Sequence, residues 1–439
     1  MRYRRRLVAV LVLSLLAAAC QGGDGGDEGE GGPPIVFAAS LPLTGMFSIP
    51  GDLHRKGYEL CIDMINERGG LLDRPVRLIV QDNRSDTETV VSQYQRFINV
   101  DDADVLLGTF STLLSFPASS IAEQAQMVFP EPSDSSFISH SRGYEFNFGF
   151  TLKPIDLIGE TPVDALFYFA DQGVIPRDDL PTTAAVVRQD DFFPDAISKG
   201  LVGGKLEIPG TGETIDFGDG YLEDRGIDLV FDEEYPAEGF DDWVGLANRA
   251  KASGAEYLLV LTTGGGGEVE FTRALKTVNY VPKTTFYSQG TYAEFEDALG
   301  SSVNGIVVWT TWAPEVEWEG EIGGQPITNQ EFVEAYEAMF DDVAQEDQAQ
   351  AFAVCQAMEQ GIRSIGSTDN VELQEWMVSR TAQNPIRTIQ GDYYFDDKGL
   401  TAGRDLLLLQ WQNRELKFIF PVGEEYPNTV DPIWPQPAW

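Results

Sequence analysis

The chain has 439 residues, too many for one ordinary core, so two or three domains are expected. Hydrophobic content is 43%, as in a globular protein, but 30 basic residues against 70 acidic ones give a net charge of −40. That balance excludes nucleic acid as a partner, which needs clustered Lys and Arg to displace counterions; it speaks to solubility and not to fold.

At the N-terminus, Arg2, Arg4, Arg5 and Arg6 precede the apolar run Leu7 to Leu16. Ten apolar residues are too few to span a bilayer and fit a cleaved export signal over 1–19. Leu16-Ala17-Ala18-Ala19-Cys20 looks like a bacterial lipobox, in which Cys20 takes the lipid. An ordinary secretory signal that contains a cysteine is the alternative. Residues 20–34 are rich in Gly and acids and close on two prolines, the composition of a flexible tether.

The organising stretch is 35–83. Ile35 to Ala39 is a short apolar strand, broken by Leu41-Pro42-Leu43-Thr44-Gly45. Asp52 is expected to cap a helix whose buried face is Leu53, Gly57, Leu60, Cys61, Met64 and Ile65. Gly69-Gly70 ends that helix, and Arg77 to Val80 is a second strand closed by Gln81-Asp82-Asn83. A helical crossover makes the two strands parallel.

Ser85-Asp86-Thr87-Glu88 has the pattern of a capping box before the next helix. Strands are then expected at Val105 to Gly108 and Met127 to Phe129, with a helix through Ile121 to Gln126 between them. This alternation makes an open, mostly parallel sheet, which binds ligands beyond the carboxyl ends of its strands. The rule points to the loops 41–50, 109–115 and 131–137.

A second lobe follows, with strands at Ala184 to Val187, Leu229 to Phe231 and Tyr257 to Leu261, and a surface hairpin within 203–228. Around Gln289-Gly290 the chain is expected back in the first lobe, where Gly305 to Thr310 is a strand and 329–341 and 348–364 are helices. Glu315 to Gln325 reads as an acidic loop, and Tyr393-Tyr394-Phe395 with Leu406 to Trp411 as a closing hairpin.

Ser40-Leu41-Pro42-Leu43-Thr44-Gly45, then a helix ending Ile65-Asn66-Glu67-Arg68-Gly69-Gly70, then a strand ending Gln81-Asp82-Asn83, resembles the start of type I periplasmic solute-binding proteins. Within them the resemblance is to the leucine/isoleucine/valine-binding group, the branched-chain amino acid, amide and urea binders of ABC importers. It implies two Rossmann-like α/β lobes with mostly parallel sheets joined by a multi-strand hinge. Lobe 1 would hold 35–150 and 291–404, and lobe 2 would hold 151–290 and 405–439. It implies a monomer, lipid-anchored outside the cytoplasm through Cys20, that captures an amino acid or amide and passes it to a membrane permease. A sensory lipoprotein of the same fold, regulating a partner, is the alternative.

The resemblance also carries a ligand set. Phe110, Ser111 and Thr112 match the loop whose hydroxyls and backbone N–H groups hold the ligand carboxylate; an ordinary helix cap has the same residues. Ser133 and Asp134 fall on the second binding loop, where Asp134 departs from the usual small residues and either meets a ligand ammonium or caps the next turn. Phe193 matches a cleft aromatic. Glu268 is within one residue of an acid that pairs with the ligand ammonium, and equally suits the first turn of a helix. Trp309 and Trp312 sit near a strand end expected in lobe 1.

Cys61 and Cys355 remain once Cys20 is acylated; an exported pair suits a disulfide, and two buried free thiols suit it as well. No HExxH, GxSxG or close Cys/His cluster occurs, and the two histidines, His54 and His140, read as surface or cap residues. The sequence therefore supports neither an enzyme, nor a metal site, nor a cofactor.

Overall fold

The computed structural model describes residues 32–439 apart from 210, 265, 402–404 and 425, so the export signal, Cys20 and most of the tether lie outside the described residues. Strand β1 (Ile35–Leu41) is buried along its whole length, because it runs between two parallel neighbours. Ile35 lies beside Val76 of β2 (Val76–Asp82), and Phe37 beside Val105 of β3 (Val105–Leu107), in the order β2-β1-β3.

Helix α1 (Ser48–Glu67) crosses from β1 to β2 and buries Leu53, Gly57, Leu60, Cys61, Met64 and Ile65. It begins a turn earlier than Asp52, because Pro50 falls in its first turn, where a missing N–H leaves no bond unmade. Asp52 pairs instead with Arg55 at 2.6 Å. Beyond the helix, Gly69 and Gly70 adopt φ of 98° and 80°. Helix α2 (Thr87–Asn99) is capped by Asp86, which accepts from the Thr89 N–H at 2.7 Å, and not by a box from Ser85 to Glu88.

Helix α3 (Thr112–Ala125) leads to β4 (Phe129–Glu131), the short α4 (Phe137–His140) and β5 (Asn147–Gly149), which pairs in parallel with β4. The second sheet follows: α5 (Glu160–Asp171), β6 (Thr183–Gln189), α6 (Phe192–Val202), the expected hairpin β7 (Lys205–Glu207) and β8 (Thr214–Asp216), then α7 (Tyr221–Asp224), β9 (Asp228–Tyr235), α8 (Trp243–Ser253), β10 (Tyr257–Leu261), α9 (Gly266–Val278), β11 (Thr284–Tyr287), α10 (Ala293–Leu299) and β12 (Ile306–Thr310).

The return to the first lobe comes later than the boundary expected at 291. Strand β12 pairs in parallel with β11, Thr285 beside Ile306, so it and Trp309 belong to the second sheet. Only then come β13 (Glu319–Ile322) and β14 (Gln325–Thr328), a hairpin that starts inside the stretch expected as an acidic loop and runs past its end. Helices α11 (Asn329–Phe340), α12 (Glu346–Ile365) and α13 (Asn370–Val378) follow, then the hairpin β15 (Ile386–Thr388) and β16 (Gly391–Tyr393). Tyr393 thus pairs with Ile386 and not with 406–411. Strand β17 (Leu407–Gln412) runs antiparallel to β12 and hairpins onto β18 (Glu415–Phe420). The second sheet has seven strands in the order β18-β17-β12-β11-β10-β6-β9.

Chain crossings between the lobes follow β5, follow β12 and precede β17. Two of them are tied together: the Tyr393 hydroxyl donates to the Phe150 carbonyl at 3.0 Å, and Thr401 donates to the Gly149 carbonyl at 2.7 Å. In lobe 1, Cys61 of α1 is joined by a disulfide to Cys355 of α12, their Cα atoms 6.3 Å apart.

Candidate functional site

The carboxyl ends of β3, β4, β6, β10, β11 and β12 converge on one cleft between the lobes, which holds about 530 Å³ of space not filled by atoms. From lobe 1 come Phe110, Ser111 and Thr112. Gly108 lets this loop close on the next: a Cβ there would lie 2.3 Å from the Pro130 carbonyl. Ser111 caps α3 by position, yet its side chain accepts no bond from the helix. The hydroxyls of Ser111 and Thr112 are buried and have no hydrogen-bond partner among the described residues. Beside them, the first N–H groups of α3 have no partner within the helix and favour an anion. Ser133 lines the same wall and donates to the Thr109 carbonyl at 3.3 Å.

Lobe 2 supplies Phe193, Thr263, Ser288 and Trp309. The Trp309 indole N–H donates to the Ser288 carbonyl at 2.7 Å, which fixes the ring, and Phe193 lies 6.3 Å from it, centroid to centroid.

The first turn of α12 forms the remaining wall with Glu346, Asp347 and Gln350, next to Tyr292. Glu346 Oε1 accepts from the Thr311 N–H at 2.7 Å, the Thr311 hydroxyl at 2.8 Å and the Gln350 amide at 3.1 Å. Burial raises its pKa against those bonds. Asp347 is raised further, first by burial and then by the charge of Glu346, with the Tyr292 hydroxyl acting the other way. Its nearest basic group is His54 Nδ1 at 3.7 Å. That nitrogen donates to the Pro50 carbonyl at 2.8 Å, and burial lowers the His54 pKa to about 4, so the ring is neutral at pH 7. Among the described residues, Asp347 therefore faces the cleft without a cation beside it. Gln350 Oε1 is buried there without a partner.

Phe110, Ser111, Thr112, Ser133 and Phe193 thus meet in one place. Asp134 does not line it: its carboxylate accepts from the Ser136 N–H at 3.0 Å and from the Ser139 hydroxyl, capping the next turn. Glu268 is fully buried behind the cleft, where Oε1 accepts from the Gln289 N–H at 2.9 Å and burial pushes its pKa up to about 8. His54 and His140 are buried and not on the surface, because α12 closes over one and the 396–399 turn meets the other; His140 Nδ1 is 3.0 Å from the Lys398 carbonyl. Tyr292, Asp347 and Gln350 carried no signal in the sequence beyond an acidic first turn of a helix. Among the described residues, no group of three metal-ligating side chains is gathered anywhere.

Two interleaved α/β lobes with a polar cleft at their strand ends define a solute-binding protein of the type I periplasmic class. A model of the periplasmic binding protein family matches residues 34–202 and 210–415, and the chain belongs to that family, one of binding proteins and not of enzymes. It is 19% identical over 436 residues to Leu/Ile/Val-binding protein homolog 7 of Brucella melitensis, covering 95% of this chain and 96% of the relative. With the leucine-, isoleucine-, valine-, threonine- and alanine-binding protein of Pseudomonas aeruginosa it shares 22% over 380 residues, 86% and 90% of the two chains. The structure of the branched-chain amino acid transporter substrate-binding protein LivJ of Streptococcus pneumoniae, solved with isoleucine, superposes with a TM-score of 0.70 at 15% identity, over 88% of this chain and all of that one.

Proposed function

We propose that the protein captures an amino acid or a related amide outside the cytoplasm and hands it to the permease of an ABC importer. The observation that carries this is the polarity of the cleft. One wall offers unpartnered hydroxyls at the N-terminus of α3, suited to a carboxylate; another offers Asp347, suited to an ammonium. The relatives' names, with amino acids as their ligands, support the same class. Three crossings between the lobes would act as the hinge, closing over the solute and stripping water from both charged ends. Lipid on Cys20 would hold a monomer at the membrane.

The test is a thermal-shift screen of residues 35–439 against amino acids, amides, urea, polyamines and sugars. A ligand that binds only the folded state stabilises it by about 2.7 kcal/mol at a hundredfold excess over Kd. A shift confined to amino acids or amides supports the reading, and a shift confined to sugars or polyamines refutes it. Membrane attachment is tested separately, by loss of lipid labelling in Cys20→Ala.

A further inference from the structure

The residues that line the cleft include four aromatic rings, and the rest are hydroxyl, amide or carboxylate side chains. Among the described residues, no Leu, Ile, Val, Met or Ala side chain reaches it. A branched aliphatic group gains its affinity by leaving water for apolar surface, and it leaves every polar group that it covers unpaired. Among the described residues, four buried polar groups of the cleft wall lack partners: the hydroxyls of Ser111, Thr112 and Thr263, and Gln350 Oε1. The first two are answered by a carboxylate at the α3 N-terminus. Gln350 Oε1 is an acceptor and can be answered only by a donor. Asp347 beside it meets the Tyr292 hydroxyl and, among the described residues, one basic neighbour, His54, which gives its Nδ1 hydrogen to Pro50; a cation seated there would favour its ionised, accepting form against the burial that opposes it. The rings of Phe110, Phe193, Tyr292 and Trp309 line the same cleft, and the face of an aromatic ring attracts a cation.

We infer that the solute is a compact zwitterion with an N–H-rich cationic end, an ω-amino or guanidino acid, seated by its carboxylate at Ser111 and Thr112 and by its cation at Asp347 and Gln350, and that branched aliphatic amino acids are refused. This rests on the capture of a zwitterion proposed above and narrows it. The N–H donors are part of the claim: a quaternary ammonium can meet aromatic rings but leaves Gln350 Oε1 without a hydrogen bond and gives Asp347 none beyond the Tyr292 hydroxyl.

Isothermal titration of residues 35–439 with β-alanine, γ-aminobutyrate, guanidinoacetate, glycine betaine, leucine and isoleucine decides it. The expected result is that one of the first three binds at least tenfold more tightly than isoleucine, that glycine betaine does not bind, and that Asp347→Asn weakens the tight ligand at least tenfold. Should Asp347→Asn fail to fold, Gln350→Met, which keeps the side-chain length and removes the acceptor, must weaken the same ligand. Leucine or isoleucine as the tightest ligand overturns the inference and leaves amino acid capture standing. Glycine betaine binding as tightly as the N–H-bearing probes removes the role of Gln350 and Asp347. If no probe binds, this inference falls, while capture of an amino acid or amide stands or falls separately with the wider thermal-shift screen.

Discussion

Asp347 Oδ1 lies 3.7 Å from His54 Nδ1, yet the two are not an ion pair. His54 gives that hydrogen to the Pro50 carbonyl one turn back in α1, and burial holds its pKa at about 4 against an ordinary 6.5. A base whose folded pKa is depressed contributes stability that is complete above its unfolded value and is lost as pH falls toward the folded one. Between pH 6.5 and 4 the protein should therefore lose roughly 3 kcal/mol through His54, at ~1.4 kcal/mol per pH unit. His54→Asn, whose amide N–H reaches the same carbonyl, should lack that loss. Urea unfolding of both proteins at pH 7 and pH 4.5 checks it, and parallel profiles would exclude His54 as the cause.

Glu268 has the opposite sign. Its folded pKa of about 8 lies above the ordinary 4.5, so the folded state holds a proton that the unfolded chain has released. Stability falls as pH rises from 4.5 to 8 and is level beyond, a loss of about 5 kcal/mol from this group. In Glu268→Gln the side-chain carbonyl still accepts from the Gln289 N–H, and the new amide takes the place of the carboxyl oxygen beside the Thr262 hydroxyl. The variant should match the parent near pH 5 and exceed it at pH 8.5. Equal stability at pH 8.5 would show that the carboxylate finds solvation that the fold does not reveal.

Ser111→Ala with Thr112→Val removes two hydroxyls that bond to nothing among the described residues. Deleting a hydrogen bond to a charged group costs about 1.5–3 kcal/mol, so ligand affinity should fall at least tenfold. The unfolding midpoint without ligand should stay or rise, since two unsatisfied buried groups are lost with them. Unchanged affinity in titration would move the carboxylate seat away from α3.

The β1-α1-β2 unit was legible because its burial is local: Ile35 to Leu41 and the face from Leu53 to Ile65 carry the period of the element that they form. The lobe of β12 was not. Ile-Val-Val-Trp-Thr is buried on both faces and would suit either sheet, and only the pairing of Ile306 with Thr285 decides between them. Ser111 and Thr112 were found through resemblance to a family. Asp347 escaped because an acid in the first turn of a helix is favourable anywhere. What makes it a site residue is α1, nearly three hundred residues earlier, which brings His54 and not an arginine to its side. His54 was misread for the same reason, since between Leu53 and Arg55 nothing local foretells that α12 will cover it.

The seam between α1 and α12 yields the last prediction. A Cβ on Gly57 would stand 2.3 Å from the Gln348 carbonyl and 2.9 Å from Ala351 Cβ, so the helices touch backbone to backbone there. One turn on in each helix, Cys61 meets Cys355 in the disulfide. Gly57→Ala should cost about 1–3 kcal/mol, as overpacking does. Replacing both cysteines by alanine should cost about 2–5 kcal/mol, because the bridge closes a loop across a sequence separation of 294 residues. The two changes should not add. With the bridge intact the helices cannot part to admit the methyl group, and without it they can, so the Gly57→Ala penalty should shrink in the cysteine-free background. Urea unfolding of the four proteins measures that coupling, expected at about 0.5 kcal/mol or more. Additive penalties would mean that α1 and α12 are held at this distance by the packing of their buried faces alone, with the disulfide acting only on the unfolded chain.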